Sequence, residues 1–415
     1  MKLNDGLTSL ATNLGKRQEM ARYTQSNDLT RDIVQLEALW QESWIVQKIC
    51  RKKAQDMTRR WREITSNDLD GTQLEKIDRL ERKLKLKETL EQALIWASLY
   101  GGVAILVLTE KSTITPLESS QTIERLVLLR KDMVAGFGSL NNNIFDDNYG
   151  KFDQYKVNGS LDVHHSRLII INGTPRPPKH FADSEIWGLS DLEAVYTVLK
   201  RFDLISTNTG DLITESKVDV FKMEGLTDRI AAGMEEQIAK TVEMVQLIKS
   251  STNTLLLDKE NEYEQKELGF SGLRDLLVEF RNAVAGAADM PVTILFGQSA
   301  AGFASGAEDI QNYHESIHAL QESRLRPVFD RLDPILCQMA LGFEPADFWF
   351  EFNSLQEMTV EQKITALNSF ATATNVLIER GVLTEQQVAN ELKESGLFNS
   401  ISTEDIDQIH VESEF

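Results

Sequence analysis

The sequence predicts an α+β chain with more than one lobe. Helical periodicity dominates from Arg31 to Leu99, and alternating β-branched and apolar runs dominate from there to about Asn172. Further on, two capped helices bracket a small α/β insertion. At 415 residues the chain is also long for one compact domain.

Taken in order, residues 1–30 are polar and weakly patterned, as in a flexible arm. The helical stretch that follows is broken by the turn-rich run Ser66 to Gly71, and Ile77, Leu80 and Leu84 sit within the charge-laced face KIDRLERKLKLKE. Ala93 to Leu108 is an uncharged run of sixteen residues. It falls short of the roughly 20 needed to cross a bilayer and is interrupted by Gly101-Gly102, so it reads as a helix ending near Tyr100 and a buried strand Val103 to Leu108. Asn158-Gly159 between YKV and LDVHHSRLIII signals a hairpin. Ser190 with Glu193 opens a helix carrying Leu192, Val195, Leu199 and Phe202 on one face and running to about Glu215. Val218 to Met223 reads as a strand, Thr227 to Lys249 as a helix, and TLLLD-KEN-EYEQK as a hairpin. Ser271 opens the next helix, which aligns Leu273, Leu276, Leu277, Phe280, Val284 and Ala288 and stops before Pro291.

After that helix Val292 to Phe296 read as extended, and Gly297, Gly302 and Gly306 punctuate a loop of small residues. Ser305 and Glu308 form a capping-box pattern, after which Ile310, Tyr313, Ile317 and Leu320 recur at helical spacing. Pro327 and Pro334 are expected to bend or end that long helix. The loop Gly297, Gln298, Ser299, Ala300, Ala301, Gly302, Phe303, Ala304 and Ser305 has no charged side chain. Such a loop can brush a phosphate backbone without forming ion pairs that act as brakes.

Charge narrows the function classes. The net charge is −20, and the region from Phe343 onward holds fourteen acids against Lys363, Arg380 and Lys393. An acidic chain is a poor tight, sequence-independent DNA binder, since that affinity comes from cations displacing counterions. In a ring of like subunits the same charge repels DNA from the walls and lets it slide. Lys48 to Arg62 is the basic exception, with Arg51, Lys52, Lys53, Arg59, Arg60, Trp61 and Arg62 offered as contacts either to DNA or, preferably, to a neighbouring subunit. Two cysteines, Cys50 and Cys337, form no CxxC pair, which argues against a disulfide framework or thiolate zinc site. The start MKLNDGLTSL has no apolar signal region, so assembly in a reducing cytoplasm is expected.

Two motifs suggest chemistry. His314-Glu315-Ser316-Ile317-His318 matches HExxH, but position 321 is Gln, 324 is Arg and 338 is Gln where third-ligand patterns need other residues. His164-His165-Ser166 is an H-x-S of the kind two-histidine phosphoesterases use in pairs, with His314-Glu315-Ser316 as a formal second copy on a helix. No GxxxxGK[ST] is present, so a P-loop is not encoded. No metal or cofactor is expected.

LFGQSAAGFASGAEDIQNYHESI, with Gln321, Leu325 and Pro327 beyond it, resembles the signature of the small tailed-phage portal proteins. IWASLYGGVAILV, VHHSRLIIINGTPRP, WGLSDLEAVYTVLKRFD and STNTLLLDKENEYEQKELGFSGLRDLL agree in the expected order, so the resemblance covers roughly residues 30 to 340. It implies a portal fold: arm 1–30, mixed α/β wing 31–189, stem helix 190–215, clip 216–270, second stem helix 271–291, tunnel loop 292–306, long helix and connection 307–357, and helical crown 358–415. It further implies a non-enzymatic ring, usually of twelve copies, at one capsid vertex of the virion, which nucleates head assembly and passes double-stranded DNA. The implied partners are the large terminase subunit, major capsid and scaffold proteins, and head-completion or tail-adaptor proteins, with no membrane. Some relatives of that group are fused to a two-histidine phosphoesterase, and this chain is expected to stop before such a domain. The competing readings are a zinc metallopeptidase using HESIH, a nuclease, and a head-tail adaptor ring.

Overall fold

The computed structural model describes residues 29–146, 148–176, 186–215, 217–222, 231–233, 239–240, 262–267, 272–297, 306–356, 360–384 and 387–388. The chain divides into two compact units, Met1–Phe350 and Glu351–Phe415.

The first unit opens with a 3-10 turn at Leu29–Arg31, then helices α1 (Ile33–Glu42) and α2 (Trp44–Arg59). Asp32 and Ser43 accept from the backbone N–H groups of Gln35 and Val46, which satisfies donors that each helix start would otherwise leave open. Leu29 and Thr30 are buried, so the expected flexible arm is already fixed at its last two residues, while 1–28 lie outside the described residues. A short strand β1 (Arg62–Thr65) follows, in a stretch the helical reading had passed over. Helix α3 (Gly71–Lys83) begins at a full capping box in which Asp70 and Gln73 serve each other's backbone N–H. Helix α4 (Leu86–Tyr100) stops at Gly101, whose φ of +86° a side chain rarely tolerates, and β2 (Gly102–Thr109) leaves at once. The uncharged run is thus a helix end and a buried strand, and no described helix is long and apolar enough to cross a membrane.

Strand β2 is the centre of an antiparallel sheet, with β3 (Ile123–Arg130) on one side and β7 (Leu168–Asn172) on the other. Ile105 stands opposite both Leu128 and Ile169. A second antiparallel sheet comprises β4 (Val134–Leu140), β5 (Phe152–Val157) and β6 (Leu161–His164). Asn158 and Gly159 both take positive φ in its three-residue hairpin connection, which ends with Ser160 donating to the Val157 carbonyl. The two sheets share one core, where Ala104, Leu106, Leu129 and Leu168 meet Val134, Tyr155, Val157 and Val163. Complete burial of a leucine or valine there contributes roughly 1.5–3 kcal/mol. Beside it lies fully buried Arg167, held only by neutral acceptors, among them the Thr115 carbonyl at 2.6 Å, Thr109 Oγ1 at 2.9 Å and Gln121 Oε1 at 2.9 Å.

Helix α5 (Leu192–Glu215) has the predicted bounds, with Leu192, Val195 and Leu199 buried. It leads into β8 (Lys217–Lys222), which pairs antiparallel with β9 (Glu262–Glu267). The strand expected at Val218 to Met223 is therefore present, but the partner of EYEQK is β8, while TLLLD and most of the Thr227 to Lys249 helix lie outside the described residues. Helix α6 (Leu273–Ala287) returns from Gly272 and packs along α5. Val284, Ala285 and Ala288 are buried, whereas Leu276 is 44% exposed, so the expected apolar face is covered only towards its C-terminal end. Val292 to Phe296 is a helical turn, α7, rather than the extended segment expected. Pro291 supplies the cap, since its carbonyl accepts from both Ile294 and Leu295, and the turn buries Leu295 completely.

Helix α8 (Gly306–Leu320) continues through a π turn, Gln321–Leu325, into α9 (Arg326–Leu341). Pro327 stands in the first turn of α9, directly after the π turn, and does not end the helix. Pro334 does not end the helix, which runs seven residues further to Leu341. Strand β10 (Trp349–Phe352) spans the boundary between the units. In the second unit α10 (Val360–Glu379) closes at Gly381, whose N–H donates to the Ile378 carbonyl.

The end of α4, the end of β7 and the chain entering α5 meet at glycines. A Cβ on Gly173 would stand 2.4 Å from the Leu189 carbonyl oxygen and 2.7 Å from that of Ala97, both backbone atoms that cannot swing aside. Gly173→Ala is expected to destabilise the protein by about 3 kcal/mol, while Gly71→Ala, with nothing within 4 Å, leaves it unchanged or slightly more stable. Denaturant unfolding of the two variants checks this.

Candidate functional site

The glycine-rich segment is the feature with the clearest functional signature, and the structure defines its two anchors. On the entry side Phe296 stands edge-on to Trp44, the first residue of α2, at 5.8 Å and to Phe202 on α5 at 6.0 Å. Such aromatic pairs add about 0.5–1.5 kcal/mol to the burial itself. Gly297 then adopts φ +73°, where glycine avoids the Cβ penalty, and turns the chain out of α7. On the exit side Tyr313 is buried and donates to Asp56 Oδ2 at 2.9 Å, and Gln321 donates to the Met57 carbonyl at 2.7 Å. Burial and the Asp56 carboxylate together push the Tyr313 hydroxyl far above its ordinary pKa, so it remains a donor. Gln298, Ser299, Ala300, Ala301, Gly302, Phe303, Ala304 and Ser305 lie outside the described residues, as does the Ser305 cap expected for α8. Both anchors are held by the same helix, α2.

Above those anchors is a polar junction at the start of α5. Asp191 accepts from Ser98 Oγ of α4 at 2.7 Å, from Thr174 Oγ1 after β7 at 2.8 Å, and from Arg324 of the π turn at 3.3 Å. Burial alone would raise the Asp191 pKa, but Arg324, Ser98 and Lys53 outweigh it and hold the carboxyl below its usual value. Burial pushes the Lys53 ammonium the other way, below the usual lysine value. Ser190 Oγ accepts from Leu192 N–H as a cap should, but Glu193 does not complete the expected box. Its carboxylate turns back to accept from the backbone N–H groups of Leu29 and Thr30 and from the Thr30 hydroxyl at 2.8 Å.

The basic segment separates into buried and exposed parts. Arg62 is buried inside the subunit, bonded to Glu81 at 2.5 Å and to Asp333 at 2.6 Å, with its guanidinium 3.9 Å above the Phe329 ring. Trp61 donates to Glu81 at 2.6 Å and meets Phe329 edge-on. Lys52 pairs with Asp56 at 2.7 Å. Arg51 and Arg59 are exposed, and Arg60 is partly so. A single sequence window could not show that Glu81 and Asp333 converge on Arg62, because they lie 19 and 271 positions away.

Among the described residues neither catalytic motif is assembled into a centre. His314 is half-buried with Nδ1 unpartnered, its pKa lowered by burial and by Arg59, while His318 is exposed and Glu315 accepts from Gln311. Among the described residues no group of three or more His, Cys, Asp or Glu stands close enough to hold a metal ion. His164 Nδ1 is 2.9 Å from Ser166 Oγ at the end of β6. The charges acting on His164 and His165 are Arg167, Asp153, Arg331 and Lys151, whereas those acting on His314 are Arg59, Asp56 and Lys52. The two H-x-S triplets therefore occupy different surroundings.

A family model described as "Phage portal protein" matches residues 34–376. The chain belongs to the phage portal protein family, a class of virion proteins, and its mixed helix-and-sheet architecture is portal-like. A relative from Haemophilus influenzae (strain ATCC 51907 / DSM 11121 / KW20 / Rd), named "Uncharacterized protein", is 54% identical over 99% of this chain and 94% of its own length. An "Anti-CBASS protein Acb1" from Caulobacter sp. (strain RHG1) is 27% identical, and the match spans 86% of this chain but 60% of that protein. Among solved structures, a chain in "Neck of native GTA particle computed with C12 symmetry" superposes with a TM-score of 0.53 at 15% identity, covering 87% of this chain and 93% of that one. A chain in "Virion of native gene transfer agent (GTA) particle" superposes with the same TM-score at 14% identity, over 88% and 93%.

A folded carboxyl held below its unfolded pKa contributes stability above the unfolded value and loses it as pH falls through the folded one. Asp191→Asn is therefore expected to be less stable than the wild type at neutral pH, with the gap closing as pH drops below about 3.8. Urea unfolding at several pH values checks this, and a gap of constant size would contradict the role given to the charge.

Proposed function

We propose that copies of this chain close into a ring around a channel through which double-stranded DNA enters and leaves a phage head, and that the chain is a conduit rather than an enzyme. The observation that carries this reading is the match to the portal family over residues 34–376, within which an uncharged glycine-rich sequence has both its flanks fixed to α2. The C12 symmetry of the GTA neck supports a ring of twelve copies, and its particle supports a place at the capsid's portal vertex. A closed ring needs two different faces of each subunit to meet.

In this reading residues 31–189 form the wing, α5 and α6 the stem, 216–270 the clip, 292–306 the tunnel loop and 358–415 the crown. Acidic walls keep the DNA from sticking, and the loop meets the backbone with amide, hydroxyl and aromatic groups that exert little drag. Energy for DNA movement comes from the large terminase subunit docked at the clip, assembly proceeds in the host cytoplasm on capsid and scaffold proteins, and adaptor proteins bind afterwards. Arg51, Arg59 and Arg60, the more exposed residues of the basic segment, remain the candidates for subunit or DNA contact, whereas the guanidinium of Arg62 is enclosed in the fold.

Deleting Ser299 to Ala304 is expected to leave assembly intact while lowering the amount of DNA packaged or retained. Genome length in purified particles is the measurement, and full-length genomes in the deletion mutant would contradict the assignment.

A further inference from the structure

A cavity of about 200 Å³ opens where β5, the turn after β6, β7 and α9 converge. Lys151, Tyr155, His165 and Arg331 supply its polar side, and the run Leu168 to Ile170 with Pro327 and Val328 supplies apolar walls. No carboxylate is among its lining residues, although the chain as a whole carries a net charge of −20. Arg331 donates one N–H to the Leu168 carbonyl at 3.0 Å and has no acidic partner among the described residues. A guanidinium cannot shed its charge, so partial burial beside a single carbonyl leaves that charge poorly compensated. Two further polar atoms are buried and unpartnered: the hydroxyl of Tyr155, a residue only 1% exposed, and Nδ1 of His165. A buried polar group without a partner is costly, and two such atoms beside a guanidinium that lacks an acidic partner point to a ligand that satisfies all three.

We propose that this cavity binds a small organic carboxylate with an apolar body of about one ring or a branched chain. The planar guanidinium fork of Arg331 matches the two carboxylate oxygens, while the Tyr155 hydroxyl and the Nδ1–H tautomer of His165, both closed off from solvent, donate once their side chains turn towards the anion. Lys151, exposed at the rim, draws in the anion. The apolar walls select against inorganic phosphate, which has no surface to bury there. Because Arg331 belongs to α9 and the other polar groups to the sheet side, the bound acid bridges the two.

The test uses the full chain and sodium benzoate, with benzamide and inorganic phosphate as controls. Isothermal titration is expected to show saturable benzoate binding and at least tenfold weaker binding of either control. The His165 ring, whose pKa is lowered by burial and by His164, Arg331 and Lys151 against the opposing Asp153, should titrate at higher pH with benzoate bound. Arg331→Lys should weaken benzoate at least tenfold, and the exposed Lys151→Gln should weaken it by a smaller factor without altering the fold. Absence of benzoate binding, equal binding of benzamide or phosphate, or an unshifted His165 titration would overturn the proposal. None of these outcomes depends on whether the chain forms a ring.

Discussion

The carboxylate of Asp191 is the constraint on which the arrangement depends. One largely buried acid at the entrance to the long helix α5 is reached from α4 through Ser98, from the end of β7 through Thr174, and from the π turn through Arg324. Two residues on, Glu193 secures the turn at Leu29 and Thr30. Helix, sheet, chain start and π turn are thus referred to a single point. The close backbone approach at Gly173 makes this possible, because any side chain there would force those elements apart. Opposite charge and hydroxyl donors offset the desolvation of the acid, which would otherwise favour its neutral form.

The consequence for function lies in what is held still. Helix α2 receives Phe296 from one end of the glycine-rich segment and Tyr313 and Gln321 from the other. Both flanks of that segment are thus fixed to the same helix. Under the proposed reading, the absence of charge between Gly297 and Ser305 suits a contact to DNA, since ion pairs to phosphate would convert a guide into a brake.

Much of this was legible in the chain, and where it was not the reasons are physical. Helix α5 could be bounded because Ser190 and the spacing of Leu192, Val195 and Leu199 are local signals, and the Asn158-Gly159 hairpin because positive φ has few residues to choose from. Val292 to Phe296 misled because β-branched and apolar residues favour strands on average, yet burial of Leu295 and docking of Phe296 make a helical turn the better solution. Glu193 sat in the right place for a capping box but found stronger partners more than 160 positions earlier. The basic cluster looked like a surface because charge usually is. Arg62 is instead buried between Glu81 and Asp333, and only tertiary structure brings those three together.

The central claim is that neighbouring copies enclose a hole with the glycine-rich segment at its narrowest point. Electron cryomicroscopy of the purified full-length chain tests it most directly. The account predicts closed rings, of twelve copies in the particle, with Gly297 and the residues after it facing a central channel wide enough for a double helix. A population of monomers and simple dimers at high protein concentration, or a ring map with that segment on the outer rim, would contradict it.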